Sequence, residues 1–244
     1  MVPLGGGMTT LCTKLDMYGS AASDPVFAAL GDYVIAGLGA GLGPSTLMLG
    51  QICGIEFAHA APGQYHYLGS FSLPGFARGT YNSVLISHIG GALDHIEAFD
   101  PVQHVIAINE AGSFSGAIAP AAHLLSRGDA IFPHRYMTGG HLNSITAVAA
   151  GKADLAAIDR LSFNLAKATS LDGIEQVRVI DVTPARPGLP FICDAAVEDV
   201  EAEIMRQRLA RAMTQPFWGE FERLLEVTGI DMINPADFAA MREV

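Results

Sequence analysis

The residues best equipped for chemistry lie in Asn109-Glu-Ala-Gly-Ser-Phe-Ser-Gly116, followed by Ala117-Ile-Ala-Pro-Ala-Ala-His-Leu-Leu125. The apolar run His104-Val-Ile-Ala-Ile-Asn109 reads as a buried strand leading into a turn of small and hydroxyl residues. An Ala-rich helix follows. The first N–H groups of a helix have no internal partner and carry partial positive charge, so a strand, Ser/Gly turn and helix start can bind an anion. Ser113 and Ser115 add two hydroxyls to the N–H groups up to Gly116. The same spacing also fits a plain helix cap, a common use of serine. Spacing alone leaves both readings open.

The remaining pattern supplies elements to hold that turn. Leu11–Met17, His66–Phe71, Gly79–Ser87, Phe132–Gly140, Ala153–Ile158 and Val177–Thr183 read as strands or strand-turn segments. Helical spacing runs from Ser23 or Asp24 through Val34, over His141–Ala150 and Asp159–Ala166, then Val197–Met213, Phe217–Val227 and Asn234–Met241. Ser45–Phe57 reads as an edge segment, and Pro184–Pro190 as a Pro-rich loop. Strands alternating with helices predict an α/β fold with mostly parallel sheet.

Composition narrows the function. The 244 residues carry a formal charge of −11, which argues against nucleic acid or an anionic membrane as partner. A small anion remains compatible, because a local ring of N–H and O–H donors overrides a distant field. Gly37-Leu-Gly-Ala-Gly-Leu-Gly43 nearly matches a dinucleotide fingerprint, but the run closes a helix and Pro44 follows, so nucleotide binding is not expected. Cys12, Cys53 and Cys193 form no C-x-x-C pair, and no two histidines are closer than seven positions. Neither metal nor cofactor is expected. Tyr33–Ile55 lacks charge but holds six Gly and Pro44, so no membrane insertion is expected.

Seven phrases recur in a fixed order: Asp16-Met-Tyr18, Gly50-Gln-Ile-Cys-Gly54, Gly79-Thr-Tyr-Asn-Ser83, Asn109 with Ser113-Phe-Ser-Gly116, Gly140-His-Leu-Asn-Ser144, Gly151-Lys-Ala-Asp-Leu-Ala-Ala-Ile-Asp159 and Pro187-Gly-Leu-Pro190. Together they resemble the phosphate/phosphite/phosphonate substrate-binding proteins of ABC transporters. The resemblance implies a two-lobed type II periplasmic-binding fold, each lobe a mostly parallel sheet flanked by helices. Lobe I would comprise residues 1–85 and 177–244, lobe II residues 86–176, with crossings near Ser83–Ser87 and Val177–Val182. A small anionic ligand would sit between the lobes, and an ABC permease would be the partner. The resemblance implies that Ser113, Ser115 and Gly116 grip the anionic head and His141 donates to it. Asp159 would take an amino group, and Tyr18 and Tyr81 would cover the ligand.

Two departures from the family pattern carry consequences. Phe114 stands where phosphonate-binding members have a hydroxyl residue, which removes a donor and adds an apolar ring to the expected grip. Met1–Met8 reads as no secretory signal, which implies a periplasmic protein whose signal was removed, or else a cytoplasmic one. In the cytoplasm, the alternative is an enzyme on the same fold acting on a small carboxylate or phosphorylated metabolite, with His141 or Asp159 as base.

Overall fold

The computed structural model describes residues 12–125 and 132–243, apart from the side chain of Leu125; Met1–Met8 and Leu11 of the expected first strand lie outside them. Two five-stranded sheets organise the chain, each with helices packed on it. The first contains β1 (Cys12–Lys14), β2 (Leu47–Gln51), β3 (Tyr65–Ser72), β11 (Pro190–Asp194) and β12 (Gly229–Asp231), in the order β1-β2-β11-β3-β12. The second contains β5 (Ser83–His88), β6 (Ile106–Ile108), β7 (Arg135–Met137), β8 (Leu155–Asp159) and β9 (Val177–Val182), in the order β7-β6-β8-β5-β9. A two-stranded ribbon of β4 (Thr80–Tyr81) and β10 (Arg186–Pro187) stands between them in the chain.

The expected α/β, two-lobed class holds, with one correction: the sheets are mixed. In the first, β1 and β2 are parallel, but β11 runs antiparallel to β2 and β3, and β12 antiparallel to β3. In the second, β6 is parallel to β7 and β8, whereas β5 is antiparallel to β8 and β9. The reason is topological. The chain crosses out of the first sheet, builds the second, and returns to insert β11 between β2 and β3.

One local expectation also changes. The Ser45–Phe57 segment is not an edge: β2 lies between β1 and β11, and Gly54–His59 forms helix α2. Val34 and its neighbours do form a helix, α1 (Asp24–Ile35), with Pro25 in its first turn. The other helices are α3 (Ala119–Leu125), α4 (His141–Ala149), α5 (Arg160–Ala168), α6 (Asp199–Arg211) and α7 (Trp218–Leu225). A run of 3-10 turns, Pro235–Glu243, ends the described chain. Among the described residues no helix is long and apolar enough to cross a membrane.

The first sheet's core is rich in aromatic pairs, with Phe71 against Phe191 and Phe27 against Phe221, each at 5.0 Å between ring centres. Helix α5 joins the two cores. Leu161 and Leu165, one turn apart, pack in the first, while Phe163 and Ala166 pack in the second. Polar contacts reinforce this seam: Asn164 Nδ2 donates to the Leu225 carbonyl at 2.9 Å, and Lys167 pairs with Glu226 at 3.2 Å. Leu161→Ala should therefore lower the free energy of unfolding by about 2–5 kcal/mol, because it opens a void against the first core. A urea titration followed by far-UV circular dichroism measures the loss.

Candidate functional site

The C-terminal ends of β6, β7 and β8, which run in one direction, bring their following helix starts to one cleft. Such a convergence is where ligands bind in α/β sheets. The cleft encloses about 1030 Å³ and is walled by residues from both halves. Lys14 ends β1, with Asp16 and Tyr18 after it; after β2 come Cys53 and Glu56; from the second sheet's half come Asn109, Ser113, Ser115, His141 and Asp159.

The Asn109–Gly116 turn is built by hydrogen bonds to one serine. Residues Phe114–Ile118 form a π turn, and the Ser113 carbonyl accepts from the N–H groups of Ala117 and Ile118, both at 3.1 Å. Ser113 Oγ accepts from Gly116 N–H at 3.2 Å and from Asn109 Nδ2 at 3.0 Å. Its own hydrogen is left to donate into the cleft. Ser113 is thus a cap and a cavity residue at once. Gly116 is not part of the wall: its N–H is spent on Ser113, and a Cβ there would fall on the Asn109 carboxamide oxygen.

Ser115 is tied on two sides. Its Oγ lies 2.9 Å from His141 Nε2, and its carbonyl accepts from Ser83 Oγ at 2.8 Å. Tyr81 is 3% exposed and does not line the cleft. Burial pulls the His141 imidazole down to about 4, with the Ala157 carbonyl opposing the shift. At neutral pH it is uncharged and serves as a hydrogen-bonding group. Its Nδ1 makes no hydrogen bond of good geometry, nor does Asn109 Oδ1.

Asp159 ends β8 and caps α5: Oδ1 accepts from Leu161 N–H at 2.8 Å and from Ser162 N–H at 3.2 Å. Oδ2 faces the Tyr18 hydroxyl across the cleft at 3.4 Å. Asp159 thus caps a helix with one oxygen and lines the cleft. Burial pushes its carboxyl up to about 7, against the helix N–H bonds, Tyr18 and Arg160. Burial, with Asp159 adding to it, also raises Tyr18 and Tyr81 well above the ordinary phenol range.

Sequence reasoning missed Lys14, Asp16, Glu56, Glu110 and Asn143, all of which line the cleft. Their shared signal is position after a strand end or at a helix start, which becomes visible only once the sheet order is known. Among the described residues, no group of three or more His, Cys, Asp or Glu is placed to hold a metal ion.

The two perturbed groups act oppositely on stability. Asp159 titrates higher in the folded than in the unfolded chain, so its ionisation weakens the fold as pH rises from about 4 to about 7. His141 titrates lower when folded, so its protonation weakens the fold as pH falls from about 6.5 to about 4. The slopes largely offset each other in the wild type. Asp159→Asn, which keeps the cap oxygen, should remove only the first. At pH 8 it should gain on the order of 2–4 kcal/mol over the wild type, shrinking toward zero at pH 4. Denaturant melts at the two pH values give the difference.

A sequence model of the family described as "ABC transporter, phosphonate, periplasmic substrate-binding protein" matches residues 64–240. No curated protein sequence matches the chain. Solved structures share the fold. A binding protein component of an ABC phosphonate transporter from Pseudomonas aeruginosa is 14% identical, with 96% of this chain and 84% of that one covered at a TM-score of 0.74. PhnD1 from Prochlorococcus marinus, solved with methylphosphonate, is 13% identical over 89% of this chain and 81% of its own, at 0.68. MatC from Rhodopseudomonas palustris, solved with malate, is 12% identical over 96% and 95%, at 0.63. The family whose model matches is one of transporter substrate-binding proteins, whereas the alternative was an enzyme on the same fold. The chain belongs to the phosphonate family of ABC-transporter periplasmic substrate-binding proteins.

Proposed function

We propose that the cleft holds a small oxyanion, with its head on Ser113, Ser115, His141 and the N–H groups of the two helix starts they occupy. The observation that carries this is the convergence of these donors on one cavity. The same cavity carries four carboxylates, Asp16, Glu56, Glu110 and Asp159, against Lys14. A ligand with a second, ammonium-bearing end suits that balance better than a bare dianion, because like charges in a cleft repel. An aminoalkylphosphonate has both features. Methylphosphonate and malate, bound by structural relatives, are the comparison ligands. Tyr18 closes the cleft from the other half through its contact with Asp159.

The lobes are proposed to be residues 1–85 with 177–244, and 86–176. The crossing strands β5 and β9 pair with each other, and the β4–β10 ribbon lies beside them in the chain. That ribbon and the Ser83–Thr183 bonds, at 2.9 and 3.0 Å, are where a hinge would act. The membership supports a periplasmic location and delivery to a permease.

A thermal-shift series over aminoalkylphosphonate, methylphosphonate, phosphate, phosphite, methanesulfonate and malate tests the reading. At a hundredfold excess over Kd, a bound anion should raise the melting temperature by roughly 5–10 °C. The double substitution Ser113→Ala with Ser115→Ala should abolish the rise, measured from that variant's own unliganded melt, which loss of the Ser113 cap lowers by about 0.5–2 kcal/mol of stability. Should no anion shift the wild type, or should the double variant respond in full, the oxyanion reading is wrong.

A further inference from the structure

The turn that carries the two cavity serines cannot satisfy one of its carbonyls from its own segment. In the π turn Phe114–Ile118 each carbonyl looks to the N–H five residues on. Ser113 meets Ile118 in this way at 3.1 Å, and Phe114 meets Ala119. The next pair would be Ser115 with residue 120, which is Pro120 and has no N–H. Ala119 does not stand in, because its N–H is given to Phe114. Nor can the chain tighten here into an α-helix, since a proline ring at 120 would press on the Gly116 carbonyl. A buried carbonyl left unpaired is costly, so its donor must come from elsewhere in the molecule.

That donor is Ser83. Its Oγ donates to the Ser115 carbonyl at 2.8 Å, and both residues are buried. Ser83 is itself fixed by Thr183: its N–H donates to Thr183 Oγ1 at 3.0 Å, and its carbonyl accepts from Thr183 N–H at 2.9 Å. It begins β5, the strand between β8 and β9, so the hydroxyl stands on a rigid element. The same Ser115 sets its own Oγ 2.9 Å from His141 Nε2. Its backbone is thus held by Ser83 while its side chain lines the cleft. We propose that Ser83 is a positioning residue for the oxyanion grip: Pro120 withholds the N–H that would satisfy the turn, and the Ser83 hydroxyl takes the carbonyl so released, fixing Ser115 beside His141. Ser83 is not on the cleft wall, so it acts on a ligand through Ser115. The effect on affinity rests on the oxyanion reading of the cleft, whereas the effect on the turn needs no ligand.

Calorimetric titration of methylphosphonate, paired with crystal structures of the ligand-free proteins, tests this. Ser83→Ala should bind about tenfold more weakly than the wild type. Adding Pro120→Ala, which returns an N–H to the turn, should bring the double variant back to within about threefold of wild type. In a Ser115→Ala background, Ser83→Ala should cost less than about twofold more, because the group it positions is already gone. A general loss of stability would instead add in full in both backgrounds. If Ser83→Ala does not fold, the isosteric pair Ser83→Thr and Ser83→Val replaces it, with the first binding and the second weakened. In the ligand-free crystals, Ser83→Ala should carry Ser115 Oγ out of hydrogen-bond reach of His141 Nε2, and Ser83→Ala/Pro120→Ala should restore the contact. Wild-type affinity in Ser83→Ala, additive losses in the two double variants, or an unchanged turn in the Ser83→Ala crystal each overturn the proposal. Should the wild type bind no methylphosphonate, that result counts against the ligand reading, and the ligand-free structures still decide the role of Ser83.

Discussion

The cleft depends on where one hydroxyl hydrogen can go. Ser113 Oγ already accepts two hydrogen bonds, from Asn109 and from the backbone of Gly116. A hydroxyl has two acceptor positions and one hydrogen, so the hydrogen is directed to the cavity that Ser113 lines. This geometry needs a residue without a side chain at 116, because the Asn109 carboxamide occupies the space of a Cβ. It also needs the π turn, which lets the Ser113 carbonyl collect two N–H groups and leaves earlier ones free. A strand end, an asparagine, a glycine and a wide turn act together to aim one donor.

Electrostatics of this kind can hold an anion chiefly on neutral donors, with Lys14 also on the cleft wall. His141 is neutral at physiological pH because burial disfavours its charged form. The net charge of −11 repels anions at a distance, so recognition must come from short-range donors and aligned helix starts. Burial also limits the harm that Asp159 can do. Held at about 7, its carboxyl is partly protonated at neutral pH and presents less than a full negative charge to the cleft. Asp159 and His141 therefore bring two titratable groups to one cavity with little net charge from either.

The sequence carried the local parts of this site and not the global ones. Ser113, Ser115, His141, Asp159 and Tyr18 sit at strand ends and helix starts, where residue type and position in the chain already signal a role. Glu56 and Glu110 share the position but not the residue type, since a glutamate near a helix start or strand end becomes a cleft residue only when the sheet order brings its loop inward. Strands β11 and β12 escaped notice because they are short and buried, and period-2 alternation needs an exposed face to show itself. The mixed direction of the sheets follows from insertion of β11 between β2 and β3, a pairing of distant segments that no local pattern encodes.

Phe114 shows why residue type at a motif position can mislead about direction. Its neighbours Ser113 and Ser115 line the cleft, and an ordinary reading of the motif aims 114 there as well. The π turn changes the angular spacing of its side chains, and the ring is buried in an apolar cluster that holds Ala119, Ala58, Tyr67, Phe238 and Met241. A polar residue at this position would place an uncompensated donor in that apolar cluster, at a cost of about 1–3 kcal/mol. The aromatic residue is therefore matched to its buried apolar surroundings. Helix α5, with Leu161 in one core and Phe163 in the other, already joins the halves at the back of the cleft. The cluster that buries Phe114 also borders the cavity, through Ile55 from one half and Ile118 from the other, so apolar packing flanks the cleft on a second side.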